Sequence, residues 1–202
     1  MFFPIPIAGN KGFPTQYVSH KAFDDKGVED ILKMVSEDKW RDQKAWDPKL
    51  TGDKALQKTK LITCKVQNIN PNKDGFPFVH LADVMGKMND EYWKMSLRYL
   101  DFMYDSTSIL KYEKDGLCYW HTDLTFHIPT RKLSFTLQLS DPKDYEGGDL
   151  QFYDGVNTSI NPKLREKGLL TVFPSFTWHQ ITPITKGTRY ALVGWVHGET
   201  FK

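Results

Sequence analysis

Four polar side chains in the C-terminal half of this 202-residue chain are of types that do chemistry: His121 and Asp123, then His179, then Arg189. The first two lie in Tyr119-Trp120-His121-Thr122-Asp123, an aromatic-rich run that predicts a strand. Residues two apart on a strand point to one face. His179 opens another strand-like run, His179 to Thr182, soon after the bend Phe173-Pro174-Ser175. Two imidazoles and one carboxylate on one side of a metal fill half an octahedron and leave the rest open, a set that suits iron(II). Arg189 opens a run on which Ala191, Val193 and Trp195 share its face. An arginine on a buried face needs an anionic partner, and its planar fork fits a carboxylate better than lysine does. A dicarboxylate is the ligand it would anchor.

These residues need strands to carry them, and the sequence after residue 107 predicts short strands divided by turn signals, as in an all-β barrel or sandwich. In Arg131 to Ser140, Leu133, Phe135, Leu137 and Leu139 alternate with Ser134, Thr136, Gln138 and Ser140. The apolar side is expected to pack on helices and the polar side to line a wet cavity. Asp141-Pro142 breaks this strand, Glu146-Gly147-Gly148-Asp149 turns the chain into Leu150 to Tyr153, and Asp154-Gly155 turns it again. Gly168 to Phe173, His179 to Thr182 and Arg189 to Val196 read as the remaining strands. The first half looks helical and supportive. Val28, Ile31, Leu32 and Val35 predict an amphipathic helix over Asp24 to Trp40 with Asp24 or Asp25 as cap. Leu81, Val84, Met85 and Met88 predict a second over 78–93, with Gly86 weakening it. Residues 41–60, with Pro48 and Gly52, read as a loop, and Leu61 to Val66 as a strand.

The chain as a whole is globular in composition, 40% hydrophobic and 26% charged, and of a length expected for one domain over residues 1–202. A net charge of +2 with interspersed signs argues against a nucleic-acid-coating surface. Two cysteines, Cys64 and Cys118, are too few for a disulfide scaffold, so a reducing cytoplasm is expected. The apolar start Met1 to Ile7 is short, lacks a basic leader and carries two prolines. It reads as an extended segment on the fold, not a signal peptide or membrane span.

From Tyr112 to Trp195 the sequence resembles the iron(II)/2-oxoglutarate dioxygenases of the prolyl 4-hydroxylase type, including small bacterial and viral hydroxylases. The blocks that carry the resemblance are Leu110-Lys111-Tyr112-Glu113, His121-Thr122-Asp123, Arg131-Lys132-Leu133-Ser134 and Gln138-Leu139-Ser140-Asp141-Pro142. Tyr145-Glu146-Gly147-Gly148-Asp149-Leu150, Phe173-Pro174-Ser175 with Trp178-His179, and Gly187-Thr188-Arg189-Tyr190-Ala191-Leu192-Val193 with Trp195 complete it. The resemblance implies a mainly β, α+β fold: a double-stranded β-helix (jelly roll) over 108–202, with supporting N-terminal helices over 1–107. It makes His121, Asp123 and His179 the metal ligands and catalytic residues. Arg189 becomes the partner of the far carboxylate of 2-oxoglutarate, and Tyr112 a wall of the cosubstrate pocket. Gln138 stands where some relatives have a cosubstrate-contacting tyrosine, and Cys118 where many have a tyrosine.

The implied cofactors are Fe(II), 2-oxoglutarate and dioxygen, with ascorbate as reductant. The implied reaction converts 2-oxoglutarate to succinate and carbon dioxide while hydroxylating an unactivated carbon. Asp123 argues against a halogenase, in which that carboxylate is replaced. A proline-containing peptide or protein is the expected substrate, and Tyr119, Trp120 and Trp178 beside the ligands are placed to offer ring faces to it. Three alternatives stay open: an oxygenase acting on a nucleic acid or small molecule, a non-catalytic metal-binding barrel, and a cupin-like metalloenzyme with no need of Arg189.

Overall fold

The computed structural model describes residues 16–46, 56–57, 60–70, 74–97, 107–153, 155 and 158–200. The first part of the chain forms β1 (Val18–Lys21), α1 (Asp25–Leu32), β2 (Arg41–Asp42), β3 (Ala45–Trp46), β4 (Leu56–Gln57), β5 (Ile62–Thr63), β6 (Lys65–Asn68) and α2 (Phe78–Met88). The second forms β7 (Ser108–Tyr112), β8 (Leu117–His121), β9 (Arg131–Gln138), β10 (Tyr145–Gly147) and β11 (Leu150–Tyr153). It ends with β12 (Thr158–Ile160), β13 (Leu169–Pro174), β14 (His179–Ile181), β15 (Ile184–Gly187) and β16 (Arg189–His197). A seven-stranded sheet in the order β1-β13-β9-β16-β7-β6-β2 faces a five-stranded sheet in the order β12-β11-β14-β8-β5. Both are antiparallel, and together they make the expected jelly roll.

Alternation along β9 divides the apolar residues into two cores. Leu133, Phe135, Leu137 and Leu139 are at most 2% exposed and pack with Val28, Ile31, Leu81 and Met85 of the two helices. Each such side chain contributes about 1.5–3 kcal/mol on burial. The second core fills the space between the sheets, with Tyr112, Leu150, Phe152, Phe173, Ile181 and Ile184 among its members. Ser134, Thr136 and Gln138 turn into that interior, so the greasy and polar faces of β9 lie as the alternation predicts.

The helical half departs from expectation in two ways. Asp24 caps α1 through Gly27 N at 2.8 Å, but the helix stops at Leu32 instead of reaching Trp40. The Gln67 side chain takes both backbone groups of Ser36, accepting its N–H at 3.0 Å and donating to its carbonyl at 2.9 Å. The Ser36 N–H is thereby lost to the α-helical ladder, and its carbonyl starts a separate 3-10 turn by also accepting the Lys39 N–H at 3.2 Å. The segment also supplies strands beside its helices: β1, β2 and β6 extend the large sheet and β5 the small one. The expected strand Leu61 to Val66 is two strands parted at Cys64, each joined to a different sheet. The second helix covers Phe78–Met88 and runs on as a π-type turn, Asn89–Trp93, near its predicted end. The loop positions Pro48 and Gly52, the turn residue Asp154 and the N-terminal run Met1 to Ile7 lie outside the described residues. Among the described residues no helix is long and apolar enough to cross a membrane.

Candidate metal centre and its surroundings

The centre begins at a register fault in β8. His179 of β14 pairs with His121 and Ile181 with Cys118, so two residues of β8, Tyr119 and Trp120, oppose the single Gln180. This bulge resets the alternation. Cys118 and His121 both face inward, while Tyr119 is 57% exposed. Asp123 is not on the strand, as the sequence predicts, but in the bend beyond it. Its N–H and that of Leu124 both donate to the Ser175 carbonyl at 2.9 Å. The bulge and the bend bring the two residues together by a route that strand alternation does not contain.

His121, Asp123 and His179 offer ligand atoms that lie within 4.8 Å of one another. Asp123 Oδ1 is 3.5 Å from His121 Nε2, and Oδ2 is 3.6 Å from His179 Nε2. Each imidazole donates its Nδ1–H to a backbone carbonyl, His121 to Tyr119 O at 2.8 Å and His179 to Thr177 O at 2.9 Å. Those bonds fix ring orientation and turn Nε2 toward the centre as the atom a metal would take, the outer support that metal-binding histidines require. The Ser134 hydroxyl, from the polar face of β9, lies 3.0 Å from Ser175 Oγ and helps to hold the Asp123 carboxyl in its ionised form. The donor set therefore fits a divalent metal with open positions.

Electrostatics without metal divide the two histidines. Burial opposes an imidazolium at His121, but the Asp123 carboxylate and the Cys118 thiol outweigh it and raise the pKa to about 11. Burial lowers His179 to about 4, Asp123 only partly opposing it. Burial also works against ionised Asp123, yet the charges and hydrogen bonds of the two imidazoles and Ser134 hold it well below the usual carboxylate range. The proton of the metal-free centre thus sits on His121.

Arg189 lies 3% exposed at the start of β16. It pairs across the sheet with Tyr112, whose ring is 5.4 Å from the guanidinium carbon. Among the described residues no carboxylate pairs with Arg189, and its Nε has no hydrogen-bond partner. Thr136 Oγ1 and Trp195 Nε1, on neighbouring inward positions of β9 and β16, are likewise buried without partners. Such an interior calls for a polar, anionic occupant. Tyr112 is 2% exposed and directs its hydroxyl to Cys64.

Residue types and spacing singled out the triad and Arg189, and the family resemblance added Tyr112; the structure brings His121, Asp123 and His179 to one point and sets Tyr112 beside Arg189. Sequence reasoning missed Ser134 and Ser175 behind Asp123, and Tyr145 and Arg165 near Arg189. Ser134 carried a signal in its place on the polar face of β9. Arg165 carried none.

Residues 107–197 match the family model of the 2OG-Fe(II) oxygenase superfamily. The superfamily implies Fe(II), 2-oxoglutarate and dioxygen, and the His-Asp-His group fits the iron. A PKHD-type hydroxylase of Gloeothece citriformis is 43% identical over 81 residues, covering 40% of this chain and 32% of that relative. A PKHD-type hydroxylase of a Synechococcus species is 39% identical over 89 residues, 44% of this chain and 40% of the relative. The aligned stretch thus spans two fifths or less of the length of these curated relatives. The likeness in fold extends further than the likeness in sequence. A Pseudomonas putida prolyl-4-hydroxylase superposes with a TM-score of 0.67 at 14% identity, covering 91% of this chain and 93% of that one. A Trichoplax adhaerens prolyl hydroxylase, in complex with a hypoxia-inducible-factor peptide fragment, gives 0.63 at 13%, covering 91% and 84%.

Proposed function

We propose that this chain is an Fe(II)- and 2-oxoglutarate-dependent dioxygenase that hydroxylates prolyl residues of a peptide or protein. In this reading His121, Asp123 and His179 hold the metal, Arg189 pairs with the far carboxylate of 2-oxoglutarate, and Tyr112 walls the pocket. The observation that carries it is the convergence of two oriented Nε2 atoms and one carboxylate inside the barrel, beside an arginine that pairs with no carboxylate among the described residues. When bound, iron and cosubstrate supply oxygen activation: one oxygen atom enters a substrate C–H bond while 2-oxoglutarate leaves as succinate and carbon dioxide, with ascorbate as reductant for the iron.

The protein supplies the rest by position. Tyr119 O and Thr177 O keep each Nδ1 protonated, so that Nε2 presents its lone pair. Ser134 steadies Asp123 in its ionised form, and Arg189 fixes the orientation of the dicarboxylate. Phe152 and Phe173, whose rings lie 6.3 and 4.6 Å from that of His179, exclude water behind the metal ligands.

A peptide substrate is supported by the prolyl hydroxylases among the structural neighbours, one of them holding a peptide, and by aromatic rings near the ligands. Tyr119 and Trp178 are 57% and 51% exposed, and Trp120 stands edge-on to Tyr153 at 6.1 Å. Nucleic acid is disfavoured by the modest net charge. We further propose one oxygenase domain over 1–202 in a reducing cytoplasm, a location supported by the two buried, free cysteines.

The test loads the protein with Fe(II) and 2-oxoglutarate under argon, admits oxygen and follows succinate together with a proline-containing peptide library by mass spectrometry. A gain of one oxygen on proline is expected, and Asp123→Ala or His179→Ala should abolish both products. Succinate without a modified peptide would remove the prolyl assignment alone. Full turnover in either variant would remove the ligand assignment.

A further inference from the structure

Followed backward, the N-terminal strand runs toward the metal centre. In the antiparallel register of β1 on β13, Lys21 pairs with Leu169 and Val18 with Val172. The chain before Val18 is therefore directed past Phe173 toward Pro174 and Ser175, the bend whose Ser175 carbonyl accepts the Asp123 N–H. Two side chains mark that course. Tyr17 stacks on Phe152, with ring centroids 4.5 Å apart and planes 14° from parallel. Gln16 Nε2 donates to the Tyr153 carbonyl at 2.9 Å. Phe152 pairs across the small sheet with His179, and the Tyr153 N–H donates to the Trp178 carbonyl at 3.0 Å. Gln16 is thus bonded to the immediate neighbour of the residue that pairs with His179.

Residues 1–15 precede this anchor, outside the described residues, and their sequence holds Phe3-Pro4-Ile5-Pro6 and Phe13-Pro14. The stretch from Pro6 to Gln16 can span at most about 36 Å, so both prolines of the first run can reach the centre. Around the anchor, Tyr153, Phe176 and Trp178 are exposed, and Trp120 stands edge-on to Tyr153. Aromatic-lined surfaces take up proline-rich peptides in extended form, the form that X-Pro dipeptides favour. Tethering beside the site would hold such a segment at an effective concentration of about millimolar.

We propose that this chain is its own substrate: residues 1–15 lie across these rings, and Pro4 or Pro6 is hydroxylated at the metal centre of the same molecule. The inference rests on the oxygenase reading above and names a substrate for it. One atom of dioxygen enters a proline C–H bond as hydroxyl. The other enters succinate as 2-oxoglutarate loses carbon dioxide.

The experiment gives the full chain Fe(II), 2-oxoglutarate and isotopically labelled oxygen gas, with no added peptide. Peptide mapping by mass spectrometry is expected to find one labelled oxygen on Pro4 or Pro6, to an extent that dilution of the protein does not change. Label that falls on dilution marks transfer between molecules and overturns the proposal, as does label on an aromatic ring alone. A chain that hydroxylates an added proline peptide but never its own segment overturns it too, and leaves the oxygenase reading intact. Hydroxylation already present after purification supports the proposal if an Asp123→Ala chain made alike lacks it; equal hydroxylation of the two overturns it. Under argon, the Mn(II)-loaded Pro4→Ala/Pro6→Ala variant should bind a synthetic peptide of residues 1–15 about tenfold more tightly than wild type, whose own segment competes. Equal binding overturns the proposed occupancy. A wild-type chain that releases no succinate and oxidises neither its own segment nor any library peptide overturns the oxygenase reading and this proposal together.

Discussion

At the scale of single residues, the metal-free centre stores a proton that a metal must displace. The His121 value of about 11 lies above its ordinary 6.5, so its pairing stabilises the fold fully below the ordinary value and is lost as pH rises through about 11. The depressed Asp123 value works in the other sense: its contribution is present above the ordinary 3.8 and lost as pH falls through the folded value. His179, lowered to about 4, makes the metal-free fold less stable as pH falls below its ordinary value. Between these limits His121 is protonated, and metal binding near pH 7 should release about one proton. Calorimetry in buffers of different ionisation enthalpy measures it; a buffer-independent heat would refute it. Arg189 makes a related prediction. A buried cation without a carboxylate costs stability, so Arg189→Met should leave the ligand-free protein as stable as wild type or more so. The variant should lose the stabilisation by 2-oxoglutarate, about 2.7 kcal/mol at a hundredfold excess over Kd, in urea melts with and without ligand.

At the scale of elements, the turn from β10 into β11 ties the Arg189 end of the barrel to its wall. Gly147 and Gly148 have φ of 74° and 65°, where side chains are strained. A Cβ on Gly147 would lie 2.1 Å from the Pro183 carbonyl oxygen, and one on Gly148 2.4 Å from Ile184 Cδ1. Gly148→Ala should therefore cost at least about 1–2 kcal/mol from backbone strain and displace Arg189, lowering 2-oxoglutarate affinity beyond the stability loss. Arg165 bonds Asp149 Oδ1 at 2.9 Å as well as the carbonyls of this turn. Arg165→Ala is expected to cost roughly 2–3 kcal/mol, read from the denaturation midpoint at unchanged m-value. The glycines of this turn were legible as turn residues from type alone. Arg165 was not, because its partners are backbone carbonyls that only the fold assembles. The bulge in β8 was also invisible: Tyr119-Trp120-His121 has the composition of a regular strand, and the extra residue exists only relative to β14.

At the scale of the whole molecule, the barrel is a wall shared by two interiors. Leu137, fully buried between β9 and the helices, belongs to the helical core, so Leu137→Ala should lower the unfolding free energy by about 2–5 kcal/mol. Metal affinity of the folded variant should be unchanged, a separation that calorimetry below the melting range would test. That division was readable, because a strand buried on two chemically different faces writes its alternation into the sequence. The sequence by itself also pointed to the candidate residues of the site, since ligand chemistry restricts which side chains can serve. Length of α1, the strands contributed by the first half, and the supports of the site were decided elsewhere. Gln67 ends α1 by bonding Ser36, and Ser134 and Ser175 meet behind Asp123 from different strands. Only tertiary structure could settle these, because each depends on hydrogen bonds between groups far apart in the chain, whose partners no local pattern names.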